Sequence, residues 1–135
     1  MAKTRARDLM TEGVYAAAPD DDLATLCDLM SRRNVRHMPV VDLRGELVGL
    51  VSHRDLLRHQ IIDRDGKPAF ATRAAIAHLR VKHLMTHPVC TVELDTDIRE
   101  AAQVMYKHKY GCLPVVERGR LVGILTESDF VRSLA

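Results

Sequence analysis

The chain has no tryptophan, and aromatic residues make up only 4% of its 135 residues. That scarcity excludes a stacking platform of the kind that holds single-stranded nucleic acid. Charge of one sign is also lacking: 20 Lys and Arg offset 18 Asp and Glu, for a formal net charge of +2. No basic block stands out, so no nucleic-acid partner is expected. No apolar run approaches the roughly 18 residues of a membrane span, and no membrane insertion is expected. The opening "MAKTRARDLM" is charged and has no apolar stretch of the secretory type. Cys27, Cys90 and Cys112 are odd in number, widely spaced and set in apolar surroundings. They read as buried free thiols of a cytoplasmic protein rather than as a disulfide framework. Neither a Walker-type nor a Rossmann glycine loop is present.

What is present supports a core: 47% hydrophobic residues with 28% charged. It is present twice. "DLMTEGVYAAAPDDDLATLCDLM" lies over "HLMTHPVCTVELDTDIREAAQVM", so that Leu9, Met10 and Thr11 answer Leu84, Met85 and Thr86. "MPVV" (Met38 to Val41) answers "LPVV" (Leu113 to Val116), and "GLVSHRD" (Gly49 to Asp55) answers "GILTESD" (Gly123 to Asp129). The one-residue length difference between copies falls at a Gly-containing turn, where a hairpin tolerates it.

Each copy predicts the same elements. A short extended segment, Val14 to Ala17 or Val89 to Val92, is followed by an amphipathic helix. Leu23, Leu26, Cys27 and Met30 mark its buried face, repeated by Ile98, Ala101, Ala102 and Met105. Acidic residues and Thr96 crowd the helix start, as capping and the helix dipole favour. Two β-rich runs around a Gly turn form a hairpin, and a last helix runs from His53 to about Ile62 or from Glu127 to Leu134. Between the copies, "DRDGKP" reads as a turn and "AFATRAAIAHLRVKH" as a connecting helix. The expected fold is therefore α/β (α+β), two β-α-β-β-α repeats packed through their sheets with pseudo-two-fold symmetry. Residues 8–62 form the first, 63–82 a partly helical connector and 83–135 the second. A repeat this short is marginal alone, so the two form one module.

The heptads invite two readings. As capping boxes, Ser52 and Thr126 would start their helices, with Asp55 and Asp129 reaching back to the cap amides. As ligand groups, a hydroxyl at a helix N-terminus suits phosphate, and a carboxylate one turn on accepts from ribose hydroxyls. Gly49 and Gly123 would let a ligand approach the strand. On the ligand reading, replacing Asp129 would leave the fold intact.

Two such copies, each with "LMT", a "PVV" strand, a Gly turn and the heptad, resemble a pair of cystathionine-β-synthase (CBS) domains, the Bateman module. The likeness covers about Asp8 to Leu134 apart from the connector. The resemblance implies a cleft with two pseudo-symmetric sites for an adenine nucleotide such as AMP or ATP, bound as a regulatory ligand with no cofactor required. It also implies crossed pockets. One combines Thr126, Asp129 and Gly123 with Thr11, Val14, Tyr15, Arg36, His37 and Met38. The other combines Ser52, Asp55 and Gly49 with Thr86, Val89, Cys90, Gly111, Cys112 and Leu113. Only the first holds a guanidinium and an imidazole, so it is favoured for a phosphorylated ligand. Family members pair through their helices into a disc, which implies a homodimer, and they commonly regulate another protein. With no attached enzyme domain, the chain resembles a free-standing module.

Other signals are weak. His83 and His87 would share a helix face, but Pro88 disfavours helix at His87 and no third ligand is suitably spaced, so no metal site is expected. Cys112 as a nucleophile has no group to orient a base, and no enzymatic turnover is expected. The rival to a nucleotide sensor is an interaction or dimerisation module with vestigial pockets.

Overall fold

The computed structural model describes residues 4–59, 61–66 and 77–135. In chain order its elements are α1 (Ala6–Leu9), α2 (Leu23–Arg33), β1 (His37–Val41), β2 (Leu47–Ser52), α3 (His53–Arg58), α4 (Val81–Leu84), β3 (Val92–Glu93), α5 (Ile98–His108), β4 (Cys112–Glu117), β5 (Arg120–Thr126) and α6 (Glu127–Leu134). They fall into two compact units. One, the Thr126 unit, holds the described residues of Met1–Val14, Gly45–Leu47 and Val89–Ala135; the other, the Ser52 unit, holds those of Tyr15–Arg44 and Val48–Pro88.

In the Thr126 unit the sheet order is β3-β4-β5, with β3 parallel to β4 and β4 antiparallel to β5. Pairing Cys112 with Thr126 and Leu113 with Leu125 brings the strand ahead of "PVV" beside the heptad of the same repeat. The outer edge of β5 does not stay bare. Thr11 pairs with Ile124: its N–H donates to the Ile124 carbonyl at 2.9 Å, and its carbonyl accepts from the Ile124 N–H at 3.0 Å. The Ala6 N–H donates to the Thr96 carbonyl at 2.9 Å and seats α1 beside α5. Ala6 is thereby buried with Ala101, Met105, Leu113, Val115 and Leu125, and Leu9 and Met10 pack against them. The leading segment of the first repeat thus completes the sheet and core of the second.

The Ser52 unit does the reverse. β1 and β2 form a two-stranded sheet, and Thr86 exchanges both backbone bonds with Leu50 on β2, at 2.9 and 3.1 Å. Val81, fully buried at the start of α4, joins a core of Leu23, Leu26, Met30, Met38, Val40, Val51 and Leu56. Full burial of one such aliphatic side chain is worth about 1.5–3 kcal/mol, enough to hold a four-residue helix that could not persist alone.

The two long helices form for the reasons their sequences suggest. Asp22 Oδ1 accepts from the Thr25 N–H at 2.7 Å, and Asp97 Oδ1 from the Arg99 N–H at 2.8 Å. Both helices end on a left-handed residue, Asn34 at φ 53° and Lys109 at φ 60°. Leu23, Leu26, Cys27 and Met30 are all buried, as their spacing predicts. In α5, Ala101 and Met105 are buried, Ile98 packs against the core, and Ala102 is only half-buried.

Four expectations change. The extended segment at Val14 to Ala17 reduces to one parallel bridge, Ala17 to Val40, and that at Val89 to Val92 becomes Val92–Glu93. The helix from His53 stops at Arg58 rather than near Ile62. The Ile61 N–H returns to the Leu56 carbonyl at 2.8 Å, and burying both Ile61 and Ile62 in the core takes the chain off the helix axis. Of the connecting helix, residues 69–76 lie outside the described residues, as do 67–68 of the turn before it; 77–80 are non-helical, and only Val81–Leu84 is helix. The short helices α1 and α4 are not signalled by periodicity, being too brief to show any.

Candidate ligand-binding site

Both heptads cap helices, and both leave a carboxylate at the first turn. In the Ser52 unit, Asp55 Oδ2 accepts from the Ser52 N–H at 2.9 Å while Ser52 Oγ accepts from the Asp55 N–H at 3.1 Å. That is a reciprocal capping box with Asp in place of the usual Glu. In the Thr126 unit, Asp129 Oδ2 accepts from the Thr126 N–H at 2.8 Å and from its hydroxyl at 3.2 Å.

The second carboxylate oxygen separates the two. Asp129 Oδ1 accepts from the Thr11 hydroxyl at 2.9 Å and from Arg132 Nη2 at 2.6 Å. Asp129 is 2% exposed, the one buried charged residue among those described. Its four contacts match the roughly four lone-pair sites of a carboxylate. Asp55 is half-buried, and its Oδ1 takes no hydrogen bond among the described residues.

The glycines prove to serve the protein's own packing. A Cβ built on Gly49 would collide with the Sδ of Met85, and one on Gly123 would lie 2.5 Å from the Sδ of Met10 and 3.1 Å from the Thr11 carbonyl oxygen. The space expected for a ligand beside each strand is filled by the methionine of the "LMT" segment that docks there. Spacing alone could not show this, since the partners come from opposite repeats.

Each remaining expected site residue lies in a definite place. In the Thr126 unit, Val14 and Val89 are half-buried and Cys90 is exposed. Gly111 is half-buried, whereas Cys112 and Leu113 enter the core with β4. In the Ser52 unit, Thr86 sits exposed beside β2. Tyr15 is exposed, with the Arg33 guanidinium 4.2 Å from its ring centre, a cation–π contact. Arg36 is exposed, and its carbonyl accepts from the His53 N–H at 2.7 Å, so the segment ahead of "PVV" borders the heptad here too. His37 opens β1, half-buried. Met38 and Leu113 are fully buried, so only their backbones can face a ligand. A shallow cavity of about 140 Å³ in the same unit touches Arg36, His53, Leu56 and Asp65. It is smaller than the roughly 300 Å³ at which small-molecule sites begin.

Burial raises the Cys112 thiol to about 12 and the Cys27 thiol to about 11, the latter with help from Asp28. Both are inert as nucleophiles near neutral pH. His83 Nδ1 accepts from the Arg80 N–H at 2.9 Å and starts α4, while His87 lies beyond that helix. Among the described residues no group of three or more His, Cys, Asp or Glu is placed to hold a metal, and no helix is long and apolar enough to cross a membrane. Arg132 and the two methionines are the residues that sequence reasoning missed. Arg132 stood three residues from Asp129, the i,i+3 spacing that would have flagged it.

The pattern of two capped heptads, each with the other repeat's "LMT" segment along its strand, defines a tandem-repeat class, and comparison places it. The CBS domain model matches residues 6–62 and 81–135, and the chain belongs to the CBS domain family. It is 30% identical to inosine-5'-monophosphate dehydrogenase of Methanocaldococcus jannaschii over 97% of this chain but 24% of that protein. Among the first curated relatives it spans a quarter to under half of their length. Of solved structures, a Vibrio cholerae protein assigned to acetoin utilization (AcuB) superposes with TM-score 0.83 and 34% identity, over 98% of this chain and 91% of that one. CBSX2 in complex with AMP superposes with TM-score 0.80 and 29% identity, over 96% and 95%.

Proposed function

We propose that this chain is a ligand-sensing regulatory module that binds an adenine nucleotide of the AMP or ATP type and signals occupancy to a partner protein. The observation that carries the reading is the pair of hydroxyl–carboxylate heptads, each at a helix start and each bordered by a threonine of the opposite repeat's "LMT" segment. The likeness to CBSX2, whose structure holds AMP, supports it. Asp129 and Asp55 are the ribose acceptors, Thr126 and Ser52 the hydroxyls beside them, and Arg36 and His37 the groups for phosphate. The Thr126 heptad serves the phosphorylated ligand and the Ser52 heptad a less charged one. Residues 8–62 and 83–135 act as the two repeats, joined by 63–82. Occupancy shifts a population of conformers, and its size is set by the ligand's differential affinity for them.

Tyr106, Val131 and Leu134 project from α5 and α6 with 81%, 68% and 89% exposure. They support a homodimer formed through these helices, in a cytoplasmic protein whose three cysteines are unpaired. Light scattering should return twice the 15.2 kDa chain mass. Thermal-shift titration with AMP, ATP, NAD and S-adenosylmethionine tests the binding reading. A rise with at least one adenosyl ligand is expected, and no response to any would leave an interaction module in its place.

A further inference from the structure

In both heptads the carboxylate accepts from the N–H of the residue that starts the helix, but among the described residues only Asp129 has a counter-ion. Arg132 projects from α6 with its side chain 67% exposed, reaches back one turn and holds Asp129 Oδ1 at 2.6 Å, where the carboxylate itself is 2% exposed. The corresponding position of the first repeat is Arg58, at the end of the six-residue α3. No salt bridge joins Arg58 to Asp55 among the described residues, and Asp55 Oδ1 stays open.

We infer that Arg132 is an affinity-setting gate on the Asp129 carboxylate. This rests on the proposed role of Asp129 as ribose acceptor and deepens it. With all four acceptor positions taken, a ribose can be received only if a donor leaves. Thr126 donates from the backbone that starts α6 and from the hydroxyl of the same residue, and Thr11 is anchored in the β5 ladder by two backbone bonds. Among the described residues the Arg132 side chain makes no other ion pair or hydrogen bond, and it is 67% exposed, so water can take up the guanidinium and it is the donor that yields. A ligand with ribose hydroxyls must outcompete it at Asp129, whereas Asp55 accepts without displacement. The same residue type three positions beyond each carboxylate thus makes one half-site gated and the other open.

The test is calorimetric titration with adenosine, which has no phosphate for arginine to attract, run on the parent, Arg132→Ala, Arg132→Lys and Arg58→Ala. An exposed-end ion pair of this kind is worth about a fivefold change in affinity. Arg132→Ala should therefore tighten one adenosine site by about fivefold, Arg132→Lys by less, and Arg58→Ala should change neither site by as much as twofold. 2',3'-Dideoxyadenosine should not distinguish any of these proteins, because it lacks the hydroxyls that compete. Raising the ionic strength from about 0.05 to 0.5 M should tighten adenosine binding to the parent by screening the pair, and leave Arg132→Ala unmoved. Unchanged or weakened adenosine binding in Arg132→Ala would overturn the gate. A parent that responds to AMP while Arg132→Ala matches it for adenosine sinks the gate alone. If neither protein binds any adenosyl compound, gate and nucleotide reading fall together.

Discussion

Asp55 and Asp129 occupy the same place in the same heptad, yet one is a half-buried cap and the other a buried hub. Asp129 joins three pieces of chain: the cap of α6, the arginine one turn along it, and the first repeat's Thr11 on the edge of β5. Among the described residues the Asp55 side chain joins only the start of α3 to itself. Repetition of sequence therefore does not repeat energetics. A local capping box can be duplicated intact while its surroundings assign it a different load.

Breaking the hub should have the largest effect. Asp129→Ala leaves the Thr11 hydroxyl and the Thr126 N–H without their acceptor, and urea denaturation should show a loss of about 2–4 kcal/mol. Asp55→Ala removes only a cap and should cost about 1 kcal/mol. This revises the expectation that Asp129 can be replaced with the fold intact. Equal losses at the two positions would erase the distinction.

The glycine–methionine pairs should come next, and they sharpen the comparison. Gly49→Ala and Gly123→Ala each force a methyl group into the methionine that docks there, at about 1–3 kcal/mol. At Gly49 the three nearest atoms all belong to the Met85 side chain, whereas at Gly123 one is the Thr11 backbone oxygen. Met85→Ala should therefore relieve most of the Gly49→Ala strain in a double-mutant cycle, and Met10→Ala only part of that at Gly123. Independent, additive losses would show that the methionines do not occupy these positions in solution.

The buried thiols should give the smallest effect, confined to alkaline pH. Their folded values, about 11 for Cys27 and about 12 for Cys112, lie above the ordinary 9.0. Between 9.0 and those values the unfolded chain holds fewer protons than the folded one, so stability falls as pH rises. Below about pH 8 the thiols contribute no slope. Under native conditions near neutral pH, iodoacetamide should label exposed Cys90 and spare the other two. Labelling of Cys112 at a comparable rate would contradict its placement in the β4 core.

Much of the architecture was legible because it rests on local pattern. The buried quartet of α2, the hairpins, the helix beginning at Glu127 and both caps follow from spacing and side-chain chemistry. Less legible was everything decided between distant segments. Leu84–Met85 reads as the start of the second repeat but packs with the first repeat's core, and Leu9–Met10 does the opposite. Gly49 and Gly123 read as openings for a ligand, since a sequence does not say which distant methionine will fill them. Ile61 and Ile62 extend the helical apolar pattern of α3, and only their burial in the core ends that helix early. The carboxylates themselves were legible; their inequality was not.

The most direct test of ribose recognition by these carboxylates is the melting temperature of the parent chain with AMP and with its 2',3'-dideoxy analogue. At about 100 times its dissociation constant AMP should stabilise the fold by about 2.7 kcal/mol, a rise of roughly 5–10 °C for a chain of this size. The dideoxy analogue, with the same base and phosphate but no hydroxyl for Asp55 or Asp129, should lose most of that rise at equal concentration. An equal rise with both nucleotides, or none with AMP, would contradict the assignment.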